Sequence, residues 1–163
     1  GTSIMVGNDK VIAQLNAALE SELGAICQYI LHSEMCHNWG YHKLGSYIKK
    51  QAIDEMKHAE GLVERILFLE GEPKLAVVPP IHLGINVQAQ LENDLAGETA
   101  AVKNYNEAVA VCSAAGDNGT SELFKKMVKD EEQHADFLEA QLGMVRDMGM
   151  ANYLARQMSG AEG

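Results

Sequence analysis

A chain of 163 residues, 47 % of them hydrophobic and only three of them proline, is long enough to bury one sizeable core and is neither collagen-like nor disordered in composition. Its formal net charge of -10 argues against nucleic acid as a main partner and favours attraction of cations. No apolar run approaches the roughly 20 residues of a membrane span, and the opening residues lack the charged-then-apolar order of a signal peptide. Three cysteines (Cys27, Cys36, Cys112) without a CxxC pair suit free thiols in a reducing cytosol, so one cytoplasmic domain over residues 1–163 is expected, with no nucleic-acid or membrane partner.

Asn8 and Asp9 can cap a first helix that carries Ile12, Leu15, Leu19, Ile26 and Ile30 on one stripe and ends near Gly40. A second helix is predicted over about 41–70, stopping at Gly71 with Pro73 beyond. Residues 71–85, "GEPKLAVVPPIHLGI", then form a connection that reaches about 50 Å when extended. A 28-residue helix is about 42 Å long, so this segment can cross a whole bundle. Its Leu75, Val77, Val78, Ile81 and Leu83 should pack on a helix flank or another subunit. A third helix begins near Asn86, carries Val87, Leu91, Val102, Val109 and Cys112, and stops at Gly116. Thr120 or Ser121 is the expected cap of a fourth, with Phe124, Met127, Leu138, Leu142 and Val145 on its stripe to Met148. The tail over 150–158 can make a short fifth. Strand signals are absent. The expectation is an all-α, four-helix bundle in up-down-down-up order, with a long crossover between helices two and three and a short C-terminal helix.

The stretch "IDEMKHAEGL" interrupts the second helix's stripe of Leu44, Ile48, Leu62, Ile66 and Leu69 with Glu55 and His58. Burying either group without a partner is costly. The same chemistry recurs: "DEMKHA" at 54–59 returns as "DEEQHA" at 130–135, and the offset also maps Glu22 on Glu98, Tyr29 on Tyr105 and Gln14-Leu15 on Gln90-Leu91. Each hairpin thus carries one stripe glutamate on its first helix and a Glu-x-x-His on its second. Four packed helices would bring Glu22, Glu55, His58, Glu98, Glu131 and His134 to one height in the core. Four carboxylates there would repel one another and resist ionisation. Two divalent cations would cancel their charge, and this mixture of oxygen and nitrogen donors suits iron, with manganese or zinc tolerated. One Glu from each of two helices and a Glu-x-x-His from each of the others is an arrangement already described for di-metal helix bundles.

At these positions the chain resembles the bacterioferritins, through "SELGAICQYILH", "IDEMKHAE", "ERILFLEGEPKL", "DEEQHADFLEAQL" and "MGMANYLARQM". The resemblance implies a ferroxidase centre of two iron ions per subunit. In it Glu55 and Glu131 bridge the metals, Glu22 with His58 and Glu98 with His134 complete their spheres, and dioxygen or peroxide oxidises Fe(II). It further implies iron storage in a homo-oligomeric cage of 24 subunits built from two-fold dimers. One b-type haem per subunit pair would be ligated by Met56 and its symmetry mate, with a small ferredoxin as electron donor for iron release. Some members carry a histidine one turn before the motif's Asp to form an inner-surface iron site; Lys50 stands there in this chain, so that site is not expected.

Tyr29 and Tyr105 either hold ligand carboxylates or are ordinary core tyrosines, and Asp54 and Asp130 either orient the opposite imidazole or sit on the surface. His32, His37, His42, His82, Trp39 and the cysteines are read as structural or solvated. A small di-iron oxidase or peroxidase resembling rubrerythrin is the competing enzyme reading, and an internally bonded bundle without metal is the non-enzymatic one.

Overall fold

The computed structural model describes residues 6–159, and all its regular elements are helical: α1 (Asp9–Asn38), α2 (His42–Phe68), α3 (Val87–Ala114), α4 (Asn118–Met148) and α5 (Met150–Ala155). Helices α1 and α2 form one antiparallel hairpin and α3 and α4 another. Cross-bundle bonds give the remaining directions. Tyr105 reaches Glu22 while Tyr29 reaches Glu98, so α1 and α3 are antiparallel; His58 meets Asp130 while His134 meets Asp54, so α2 and α4 are as well. The order is up-down-down-up, and residues between α2 and α3 run back along the bundle to make it so.

Helix boundaries follow from local chemistry. The side chains of Asn8 and Asn86 accept from the backbone N–H groups of Lys10 and Ala89, capping α1 and α3 as the sequence suggests. The fourth helix departs from expectation. Its cap is Asp117, whose Oδ1 accepts from Thr120 N–H at 2.9 Å, so Thr120 lies inside the first turn. Thr120 instead donates its hydroxyl to Asp117 Oδ2 and accepts from Arg65 Nε, which ties the start of α4 to the end of α2. The second helix ends two residues before the predicted limit: Glu70, not Gly71, takes the left-handed conformation (φ 59°). Its N–H bonds Leu67 O and the Gly71 N–H bonds Ile66 O, closing a Schellman motif. Gly71 packs closely for another reason, since a Cβ there would lie 2.7 Å from Ile12 Cδ1 and 3.1 Å from Ile66 Cγ2, so Ile12 would have to shift.

Two apolar clusters fill the bundle. One gathers Leu15, Leu19, Leu62, Ile66, Phe124 and Met127; the other gathers Cys36, Leu44, Ile48, Leu91, Leu138 and Leu142. Tyr153 of α5 seals the second cluster and donates to Gln141 Oε1 at 2.6 Å. The stripe read for α1 fails at Ile30, which is half-exposed. The crossover packs on α1 through Pro79, which lies against Gly24, while Leu75, Val77, Val78, Leu83 and Ile85 face outward. Between the two clusters lies a layer of buried carboxylates and imidazoles.

Candidate metal centre

Glu22 comes from α1, Glu98 from α3, Glu55 and His58 from α2, and Glu131 and His134 from α4. Each is at most a tenth exposed. In the Glu-x-x-His pairs the two side chains rise on one face a turn apart, because residues three apart on a helix are neighbours. Donor atoms of Glu22, Glu55, His58 and Glu131 lie within 4.8 Å of one another, and so do those of Glu55, Glu98, Glu131 and His134. Glu55 and Glu131 therefore belong to both groups. His58 Nδ1 is 3.0 Å from Glu131 Oε1 and 3.6 Å from Glu22 Oε1; His134 Nδ1 is 3.2 Å from Glu55 Oε1 and 3.5 Å from Glu98 Oε1.

The other imidazole nitrogens point the opposite way. His58 Nε2 sits 2.8 Å from Asp130 Oδ2, and His134 Nε2 sits 3.3 Å from Asp54 Oδ2. Each aspartate thus orients the histidine of the other hairpin, leaving Nδ1 to face the carboxylates. Tyr29 donates its hydroxyl to Glu98 and Tyr105 donates to Glu22, so both tyrosines hold ligand-type carboxylates across the α1–α3 face.

Electrostatics show how strained this cluster is on its own. Burial, together with the neighbouring Glu22 and Glu131 carboxylates, pushes Glu55 well above the usual carboxylate range. Burial and the Glu98 side chain push Glu131 up to about 7. Burial works to lower both histidines, but the surrounding carboxylates outweigh it: Glu131 and Glu22 take His58 to about 11, and Glu98 takes His134 to about 9. Even so, Glu22 Oε2, Glu55 Oε1, Glu98 Oε2, Glu131 Oε1, His58 Nδ1 and His134 Nδ1 are buried and make no hydrogen bond. Each of the six residues contributes one such atom. Four of these atoms are one another's near neighbours, His58 Nδ1 at 3.0 Å from Glu131 Oε1 and His134 Nδ1 at 3.2 Å from Glu55 Oε1, yet the pairs are not aligned as hydrogen bonds. Two divalent cations would satisfy all six and cancel four negative charges, so the donor set fits a di-metal site.

The remaining predicted positions separate clearly. Met56 is 46 % exposed and lies on α2 about 100° around the helix from Glu55. Lys50 is exposed. His32, read as structural or solvated, is fully buried beside Asp94 and Gln28, in a polar network the sequence did not reveal. His37 and His42 stack on each other at the α1–α2 turn, their Nδ1 atoms 2.9 Å apart.

Comparison with known proteins bears on this geometry. The family model described as "Ferritin-like domain" matches residues 12–148. A bacterioferritin of Brucella melitensis is 44 % identical over 149 residues, covering 91 % of this chain and 92 % of the relative. A bacterial ferritin of Synechocystis is 44 % identical over 156 residues, covering 95 % of this chain and 100 % of the relative. A bacterioferritin of Mycolicibacterium paratuberculosis is 39 % identical over 155 residues, covering 95 % and 98 %.

Proposed function

The chain belongs to the bacterioferritins, iron-storage proteins of ferritin-like fold, and from that membership we propose that it oxidises Fe(II) at a pair of iron sites held by Glu22, Glu55, His58, Glu98, Glu131 and His134. The observation that carries this reading is the set of six buried, unbonded donor atoms, one from each residue. Two iron ions held side by side with open coordination positions supply the electrons and the contact surface for dioxygen or peroxide.

The chain's own residues do the positioning. Glu55 and Glu131, shared by both donor groups, would bridge the two ions, and Glu22 with His58 and Glu98 with His134 would complete the two spheres. Asp130 and Asp54 fix which imidazole nitrogen faces inward, and Tyr29 and Tyr105 hold the terminal carboxylates of Glu98 and Glu22. The apolar clusters above and below flank the site along the bundle, and their low polarity strengthens the charge interactions within it.

Assembly into a 24-subunit cage, with a b-type haem shared by each subunit pair, extends the reading to the surface. The half-exposed Met56 and Ile53 offer a thioether and adjoining apolar surface for a macrocycle between two copies. Two thioether ligands would favour ferrous haem and so suit reduction of stored iron, with a small ferredoxin as donor. The exposed crossover residues Val77, Val78 and Ile85 support subunit contacts. A single domain over residues 1–163 in the cytoplasm completes the proposal; no helix among the described residues is long and apolar enough to cross a membrane. Relatives matched along nearly their whole length support this over a small rubrerythrin-like oxidase.

The test is stopped-flow oxidation of Fe(II). Glu22→Ala combined with His134→Ala is expected to abolish the fast phase while the particle still assembles, and an unchanged initial rate would refute the centre. In the same assay Met56→Leu is expected to keep the fast phase and lose the haem absorption band; loss of both would refute the separate role of Met56.

A further inference from the structure

The duplication that repeats all six donors and both tyrosines does not repeat one buried polar cluster beside the centre. At the offset that takes Asp54 to Asp130, the counterpart of Asp94 is Ala18, that of His32 is Ala108, and that of Gln28 is the exposed Asn104. On the alanine side the bundle is dry: Ala18 and Ala108 are buried in the apolar cluster with Leu15, Leu19 and Phe124. On the other side stands Asp94, 1 % exposed and one helical turn before Glu98.

Asp94 is held firmly by one oxygen and left open at the other. Gln28 Nε2 donates to Oδ1 at 2.8 Å, and His32 Nδ1 approaches the same oxygen at 2.9 Å. The tautomer follows from the far side of the ring, where the Gly84 N–H donates to His32 Nε2 at 2.9 Å. His32 Nδ1 therefore carries the proton and donates to Asp94. Gln28 is oriented in turn by the His82 N–H, which donates to its Oε1 at 3.1 Å. All of this fixes Oδ1. Asp94 Oδ2 is buried and takes no hydrogen bond from the protein.

Asp94 lines a cavity of about 530 Å³ between α1 and α3. Its lining passes from exposed Ser21, His82 and Ala100 to buried Asp94 and on to Glu22 and Glu98 of the centre. Pro79 of the crossover seats against Gly24 at its edge. The lining carries several carboxylates and no lysine or arginine. A second cavity, of about 280 Å³, approaches the same centre from the α2–α4 face, but its two aspartates, Asp54 and Asp130, are balanced by Lys57 and Lys126, the latter paired with Asp130 at 2.9 Å, so it lacks the net negative lining of the first.

We propose that Asp94, braced by Gln28 and His32, is a cation-binding station on a route that delivers divalent metal from the α1–α3 face to the centre. This inference rests on the di-iron reading. It explains why the symmetry is broken: a route needs only one of the two equivalent positions, and the other is filled with alanine. From the station, Glu98 is one turn further along α3, so the next carboxylate toward the centre lies close at hand.

The experiment is anaerobic stopped-flow uptake of Co(II), read by the visible absorption that Co(II) acquires on binding. Asp94→Asn keeps the Oδ1 acceptor and removes the charge. It is expected to slow uptake by roughly tenfold or more, the lower range of steering by a charged cleft, with the same final stoichiometry as the unmodified protein. An unchanged rate overturns the proposal. So does reduced stoichiometry at saturation, because Asp94 would then belong to the centre itself. Should Asp94→Asn fail to fold, Ala100→Phe, which narrows the mouth without touching the network, decides: slower uptake supports the route and an unaltered rate refutes it. Failure of the unmodified protein to bind any Co(II) would refute the metal centre, a separate result.

Discussion

His58 and His134 each turn Nδ1 toward carboxylates and Nε2 toward an aspartate, and in the metal-free chain this favours the charged imidazolium. With His58 at about 11 and His134 at about 9, both above the ordinary value of 6.5, their contribution to stability is full below that value and is lost as pH rises through 9 and 11. Glu55, pushed up, and Glu131, at about 7, act in the same direction, because the folded chain holds protons that the unfolded chain releases from about pH 4.5 upward. The metal-free protein is therefore expected to melt at lower temperature as pH rises from 6 to 9, and metal uptake near neutral pH should release protons and tighten with pH. Calorimetry in buffers of different ionisation enthalpy measures the protons; uptake without release would contradict the assignment. The six donors are legible in the sequence because duplication displays them twice at stripe positions. Gln28, His32 and Asp94 are not, since they lie on two helices, repeat nowhere, and have alanine at two of their three counterpart positions.

Helix ends divide in the same way. Asn8 and Asn86 each stand alone before an apolar stripe, so their capping roles can be read directly. At the start of α4, Asp117, Thr120 and Ser121 all have capping side chains, and only packing decides among them: Arg65 engages both Asp117 and Thr120 and so fixes the earlier start. The end of α2 turns on a steric fact invisible in one dimension, the approach of Ile12 to Gly71. The glycine stands where a Cβ would press on Ile12, and the left-handed position one residue earlier falls to Glu70. Replacing Glu70 with glycine should relieve about 1 kcal/mol of backbone strain, whereas Gly71→Ala should destabilise. Paired denaturant melts measure both; equal midpoints for the two variants would show that the end of α2 is not held as described.

The bundle as a whole is two copies of one hairpin closed around a charged middle, and its order follows from the reach of the crossover. Length alone makes that connection legible, but its outer face does not reveal what covers it. Leu75, Val77, Val78, Leu83 and Ile85 stay exposed in the single chain, as do Met56 and Ile53 on α2. A cage would bury such residues between copies. Light scattering is expected to give about 425 kDa, twenty-four chains of 17.7 kDa; a dimer or tetramer at micromolar concentration would contradict the cage. The account's central claim is more local, that six buried side chains from four helices converge because two cations hold them there. Anomalous diffraction at the iron edge from crystals loaded anaerobically with Fe(II) tests it most directly. Two strong peaks are expected inside each bundle, both within coordination distance of Glu55 and Glu131, one beside Glu22 and His58 and the other beside Glu98 and His134. Absence of iron between those side chains, or peaks confined to surface carboxylates, would contradict it.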